Sequence, residues 1–396
     1  MSREILSRCV AAALFVLPAQ AMAQTAPLQA YIGSYTLPDR STIPENHGQG
    51  IYLVTIDPVT GIPGAPKLVA KAVSPTWIAL SADRKFLYSV NEYGGFGAAK
   101  SGSVTAYAVD AASGALKPLN TVSSQGADPC HISIDPSGKF VLVANYTGGN
   151  FSVIRIRPDG GLGEVTDATK KLPANNPERA ADNPPGQFEP SDHTGSHGHM
   201  IAADPTGRFV IGDDAGRDTI YVWRLDARSG KLTEVSKNAA LPGSAPRHFA
   251  FSADGKRMYQ LFEQNSRLGL YDFNDGKPML RGKTLSMLPD GYAGSSTGSE
   301  VLLARDGKHI YAANRTQDSI AVFDVAADGS VKHAANVSTM ANHPRSLTID
   351  PSGRFLYSLN QRGDNITTFR LDPVTGIPRF AGRYAPVPSP AVMVFR

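Results

Sequence analysis

The stretch APRHFAFSADGKRMYQLFEQNSRLGLYD, residues 245–272, decides the fold. Phe249 and Phe251 alternate with smaller residues as one face of a short strand does. Ala253-Asp254-Gly255-Lys256 reads as a tight turn, a second strand follows, and Glu263 ends it at a polar corner. The same unit recurs as PCHISIDPSGKFVLVANYTGGNFSVIRI from Pro129, HMIAADPTGRFVIGDDAGRDTIYVWRL from His199 and HPRSLTIDPSGRFLYSLNQRGDNITTFRL from His343. Weaker copies start at Ser74 (SPTWIALSADRKFLYSVNE) and Gly298 (GSEVLLARDGKHIYAANRTQDSIAVFDV). With Arg84, Gly138, Gly207, Gly255, Gly307 and Gly353 as the equivalent turn position, the intervals are 54, 69, 48, 52 and 46 residues. A period near 50 with four strand-like segments suits propeller blades and not helical solenoids. In the turn, Asp starts the reversal through its side chain and Gly supplies the positive φ that closes it.

Each unit is expected to run as an inner strand, the turn, a second strand, a polar corner, a third strand and a variable fourth. The N-terminus lacks the inner strand: AYIGSYT (30–36) fits a second strand, GIYLVTI (50–56) a third and KLVA (67–70) a fourth. SPAVMVF (389–395) has the missing character and nothing after it. The chain is therefore expected to be all-β, a seven-bladed β-propeller of four-stranded blades whose first blade is closed by the C-terminal strand. The alternative is an open array of six blades, with an unpaired edge. Residues 172–196 (LPANNPERAADNPPGQFEPSDHTGS) are rich in Pro, Asn and Gly, have no periodicity, and read as a long functional loop.

Residues 1–23 have the form of a secretory signal: Arg3 and Arg8, an apolar run, then Ala21-Met22-Ala23 before Gln24. The apolar run is too short to span a bilayer and no later stretch is a membrane span. The expected mature chain is one domain, residues 24–396, periplasmic or secreted and a monomer. Cys9 leaves with the signal, so Cys130 has no partner for an intrachain disulfide. Losing Arg3, Arg8 and Glu4 lowers the net charge from +4 to +3, too mild and scattered for nucleic acid.

In an antiparallel blade the start of the inner strand and the end of the second lie at one face. That face of the channel collects Thr76/Trp77, Cys130/His131, His199/Met200, Arg247/His248, Ser299/Glu300 and Arg345/Ser346 from the inner strands. The second strands add Asn91/Glu92, Asn145/Tyr146, Asp213/Asp214, Glu263, Asn314/Arg315 and Asn360/Gln361. A ring of ionisable groups in a concave mouth is the expected site, and arginines there suit a carboxylate or phosphate.

Several segments resemble those of the seven-bladed lactonase family, which includes propeller-type 6-phosphogluconolactonases and carboxy-muconate cycloisomerases. They are Asn145-Tyr146, Pro177-Glu178-Arg179, His197-Gly198-His199, Asp214-Ala215-Gly216-Arg217-Asp218, Ala245-Pro246-Arg247-His248, Glu263, Asn314-Arg315 and Pro344-Arg345. The resemblance covers residues 28–396. It implies a catalytic set of His199, Arg247, Glu263 and Arg315, with His131, Asn145, Tyr146, His197, Asp214, His248, Glu300 and Arg345 as the expected substrate-binding residues. The sequence departs from the family at Ala180, where Gln is usual, and in the extra residues 181–196, so the loop over the mouth differs.

The implied quartet suits opening a lactone. Arg247 and Arg315 would hold the substrate carboxylate and the developing oxyanion, His199 would act as base or acid, and Glu263 would orient His199 or pair with Arg247. For His131 and His248 the competing reading is hydrogen bonding between blades, and for Trp77 it is packing. No metal is expected at His193, His197 and His199, whose loop spacing is unlike a zinc site, and no other cofactor is expected. The expected activity is hydrolysis of a sugar lactone or related carboxylated lactone. A muconate cycloisomerase and a non-catalytic binding propeller are the alternatives.

Overall fold

The repeated turn is held by one side chain. Asp135 accepts the amides of Ser137 (2.9 Å), Lys139 (2.9 Å) and Phe140 (2.7 Å), and Asp204 and Asp350 do the same work in their blades. In the second and fifth blades a serine replaces the aspartate: Ser81 and Ser252 accept the amides of Phe86 and Arg257, each at 3.0 Å. Asp83 and Asp254 sit inside those turns and do not begin them. Gly138 and its counterparts have φ of 70 to 73°, and Arg84 reaches 59° without being glycine.

The computed structural model describes residues 28–37, 46–175 and 180–396; the signal-like segment 1–23 and Pro177-Glu178-Arg179 lie outside them. Seven antiparallel sheets form the described chain. Six follow chain order from inner to outer strand, with inner strands Ile78–Leu80, Pro129–Ile134, Gly198–Ala203, Pro246–Phe251, Thr297–Leu303 and Pro344–Ile349. The first blade runs Pro390–Phe395, Leu28–Ser34, Gly50–Ile56, Lys67–Lys71, so the expected closure is present. Its register pairs Ala30 with Phe395 and Ile32 with Met393. In the fifth blade a two-residue strand, Leu285–Ser286, also pairs with Arg267–Asn274. The second strand of the second blade runs on to Phe96, which keeps Glu92 within a strand instead of at a corner.

The core is distributed over the joints between blades. Among the described residues seven buried apolar clusters each join two neighbouring blades. At the joint that closes the ring, Ile32, Val54 and Met393 meet Phe355, Tyr357 and Ile366. Each such side chain taken from water contributes about 1.5–3 kcal/mol. A hydroxyl also crosses the same joint, from Tyr357 to the carbonyl of Gly61 at 2.8 Å. Gly61 has φ 74° and lies so close that a Cβ there would sit 2.5 Å from the Phe355 ring.

The long loop is fastened to the propeller face. The Gln187 amide donates to the carbonyls of Gln264 (2.7 Å) and Ser296 (2.6 Å) and accepts from the Ser296 amide (3.0 Å). Ser191 N–H donates to the Gln264 side chain, and Thr316 donates to Glu189 at 2.8 Å. Residues 187–191 are thereby held over the fifth and sixth blades.

Candidate active site

Strand direction brings residues far apart in sequence to one cavity of about 510 Å³ at the mouth of the channel. All seven blades reach it, through Tyr35, Glu92, Cys130 with Tyr146, His199, Glu263, Arg315 and Arg345 in blade order. The fastened loop adds Phe188, Glu189 and Pro190 at the rim.

Glu263 is the electrostatic hub. Its Oε2 lies 3.0 Å from Arg247 Nε and its Oε1 3.1 Å from Arg315 Nη2. Burial pushes the carboxyl up, but Arg315, Arg247 and Arg345 together outweigh it and hold it below the ordinary value. Arg315 also donates to the Gly298 carbonyl at 3.0 Å. Arg247 lies behind this pair with only 1% of its surface exposed, its Nη1 on the Ser299 carbonyl. It braces Glu263 from behind the cavity wall, at the start of the blade's inner strand. Glu263 thus pairs with Arg247, one of its two expected partners.

Arg345 is placed otherwise. Its guanidinium faces the cavity 5.5 Å from the Tyr35 ring, with no hydrogen bond or ion pair to a described residue. His199 lines the wall with Nδ1 buried and unpartnered, and its ring meets Tyr146 edge-on at 5.7 Å. Burial first, then the charges of Arg247 and its neighbours, keeps the ring neutral, well below pH 6.5. Cys130 is a poor nucleophile: its thiol points at the His199 carbonyl (3.3 Å) and burial pushes its pKa up, keeping it a thiol.

Of the expected substrate-binding residues, Tyr146 and Arg345 line the cavity, and the other six lie behind its wall. His131 and His248 pack with Trp77 at 4.8 and 5.1 Å in a plug beneath the floor. Glu300 accepts from or donates to His248 Nδ1 at 2.9 Å; burial pushes this carboxyl up and the imidazole down, so both favour their neutral forms. Asn145 is fully buried and bonds the Ser124 carbonyl and Ser152. Asp214 accepts the amides of His197 and Arg217, capping a short helical turn, and His197 donates from Nδ1 to the Tyr146 carbonyl at 2.9 Å. These residues hold the strand ends in place because those ends leave backbone groups without sheet partners.

Among the described residues no group of three or more His, Cys, Asp or Glu is placed to hold a metal ion. His193 is bound to Asp218 (3.4 Å) and His197 to Asp192 (3.2 Å). Sequence reasoning missed Tyr35, His343 and Phe188 as lining residues and did not single out Glu92 from the rim list. The available signal for Tyr35 was its position at the end of the first blade's second strand.

Residues 29–395 match the sequence profile of the family described as "Lactonase, 7-bladed beta-propeller". The chain is 32% identical over 370 residues to a 6-phosphogluconolactonase of Bacillus subtilis, covering 92% of this chain and 97% of that one. A 6-phosphogluconolactonase of Formosa agariphila is 28% identical over 354 residues, 87% of this chain and 93% of its own. A solved periplasmic gluconolactonase of Pseudomonas aeruginosa superposes with a TM-score of 0.81 at 25% identity, covering 93% of this chain and 99% of that one.

Proposed function

The chain belongs to the seven-bladed β-propeller lactonase family, and from that premise we propose that it hydrolyses a small anionic or polyhydroxy lactone at this cavity. The observation that carries the reading is the juxtaposition of Arg345, a guanidinium without an ion pair among the described residues, with a neutral imidazole, His199, on one concave wall. Arg345 has a donor fork free for a substrate carboxylate or hydroxyls. Arg315 faces the same space and is held in place by Glu263, so it suits the charge that develops on the carbonyl oxygen. His199, being neutral, can take a proton from water as the water adds to the carbonyl carbon. Arg247 acts through Glu263 and does not itself grip substrate.

The signal-like residues 1–23 extend the proposal to an exported enzyme, which meets unphosphorylated sugar lactones in preference to a cytosolic phosphorylated one. The P. aeruginosa relative described as a periplasmic gluconolactonase supports the same substrate class. A pH-stat screen against gluconolactone, 6-phosphogluconolactone and muconolactones tests this. Gluconolactone should turn over, and Arg345→Ala should lower kcat/KM about 30- to 5000-fold, the range for losing one partner of a desolvated charge contact. Activity should also persist as pH falls through 6.5, because His199 stays neutral there. A wild-type chain inactive on every lactone, or an Arg345→Ala variant with unchanged kcat/KM, defeats the proposal.

A further inference from the structure

A neutral His199 can serve as base for the water, and the alkoxide that a sugar lactone then expels needs a proton, either from the imidazolium so formed or from a second acid on the same cavity. Among the described residues three carboxyl groups line the cavity: Glu189, Glu263 and Glu92. Glu189 stands on the loop at the rim, bonded to Thr316. Glu263 is clamped between two arginines at 3.0 and 3.1 Å and stays ionised.

Glu92 is built differently. It lies in the second blade, with Cys130 of the third between it and His199, whose carbonyl the Cys130 thiol contacts. Tyr35 Oη lies 3.3 and 3.2 Å from its two oxygens, and Thr76 bonds Oε2. No arginine makes an ion pair with it at contact distance among the described residues. The charged and titratable groups around it are Arg345, Asp128, Tyr35 and Cys130. Burial pushes its carboxyl pKa up, toward the protonated form; Arg345 and the hydroxyl of Thr76 oppose that without cancelling it.

We propose that Glu92 is the general acid of this site, delivering a proton to the ring oxygen of the lactone as the acyl C–O bond breaks. The inference rests on the lactonase reading above. His199 takes a proton from water as the water oxygen bonds to the carbonyl carbon. The tetrahedral adduct then collapses, the electrons of the breaking C–O bond pass to the ring oxygen, and the Glu92 proton joins it. Glu92 ends as carboxylate and His199 as imidazolium, and solvent returns the proton from one to the other. The sum is lactone plus water giving hydroxy acid. Opposed environments for two titratable groups on one cavity are the pattern expected of an acid and base pair.

The test is kcat against pH for wild type and Glu92→Gln, which keeps acceptor and shape but has no acidic proton. On gluconolactone, after subtraction of spontaneous hydrolysis, Glu92→Gln should lose about 100-fold or more and lack the alkaline fall of the wild type. Dihydrocoumarin, whose leaving group is a stable phenolate, should lose less than about threefold, since an acid contributes little to a good leaving group. Equal losses on both lactones, a retained alkaline limb, or no loss at all would each overturn the assignment of Glu92. A urea midpoint for the variant guards against misfolding, and the wild-type profile carries the same prediction without any substitution. Wild type inactive on both lactones refutes the lactonase reading and this inference with it, whereas active wild type with unaltered Glu92→Gln sinks the inference alone.

Discussion

Replacing Glu263 with Gln removes the negative charge from a hub that holds two arginines, and the cost can be worked from the geometry. Arg247 is 1% exposed and its Nε is 3.0 Å from Glu263. At an effective dielectric near 20, two unit charges at that separation attract by about 5 kcal/mol. Water reaches Arg247 too poorly to replace that attraction, and breaking one side of a buried pair costs about 3–5 kcal/mol. Glu263→Gln keeps a hydrogen-bond acceptor, so about 3 kcal/mol of unfolding free energy is the expected loss in urea titrations at pH 7. Arg247→Met with Glu263→Gln removes both charges and should regain most of that, leaving the two substitutions non-additive by about 2 kcal/mol. The sign of the pH dependence follows from the lowered carboxyl. Its contribution is complete above the ordinary carboxylate range and fades as pH falls through the folded-state value, so wild type and Glu263→Gln converge on acidification. A Glu263→Gln loss below about 1 kcal/mol, or additive single losses, would refute the buried-hub account.

Two other outcomes follow from single positions. Phe188 is 70% exposed on a fastened loop at the cavity rim, so Phe188→Ala should leave the unfolding midpoint unchanged while raising KM up to about tenfold for ring substrates that stack on it. Gly61→Ala forces a Cβ against Phe355 at a positive φ and should destabilise the closing joint by about 2–4 kcal/mol, visible as a lowered thermal midpoint, while Val59→Ala on the same hairpin should change little.

The propeller was legible because its turn chemistry is local: Asp135, Gly138 and their counterparts repeat in the letters and again in the hydrogen bonds. The closure was legible because 389–395 is an inner strand lacking a sequel and 30–36 a second strand lacking a predecessor. What the letters did not carry was depth. Arg247 and Arg345 begin equivalent inner strands, yet one is sealed behind Glu263 and the other faces the cavity, a difference made by partners some distance away in sequence. The same holds for Asn145 and Tyr146, adjacent residues of which one bonds backbone and the other lines the site. Glu92 stood in the rim list, but its contact with Tyr35 is set by the ring, since Tyr35 comes from the blade that the two termini share, whereas Thr76 belongs to its own blade.

The pairing of Leu28–Ser34 with Pro390–Phe395 also imposes an order on biogenesis. Six blades can collapse as they leave the ribosome, but the seventh joint waits for residue 395, so a nascent chain spends its synthesis unlatched. The latch forms only when residues 28–34 and 390–395 share one compartment. A fusion that stiffens or blocks residues 390–395 would therefore hold the whole ring ajar, however intact the other blades.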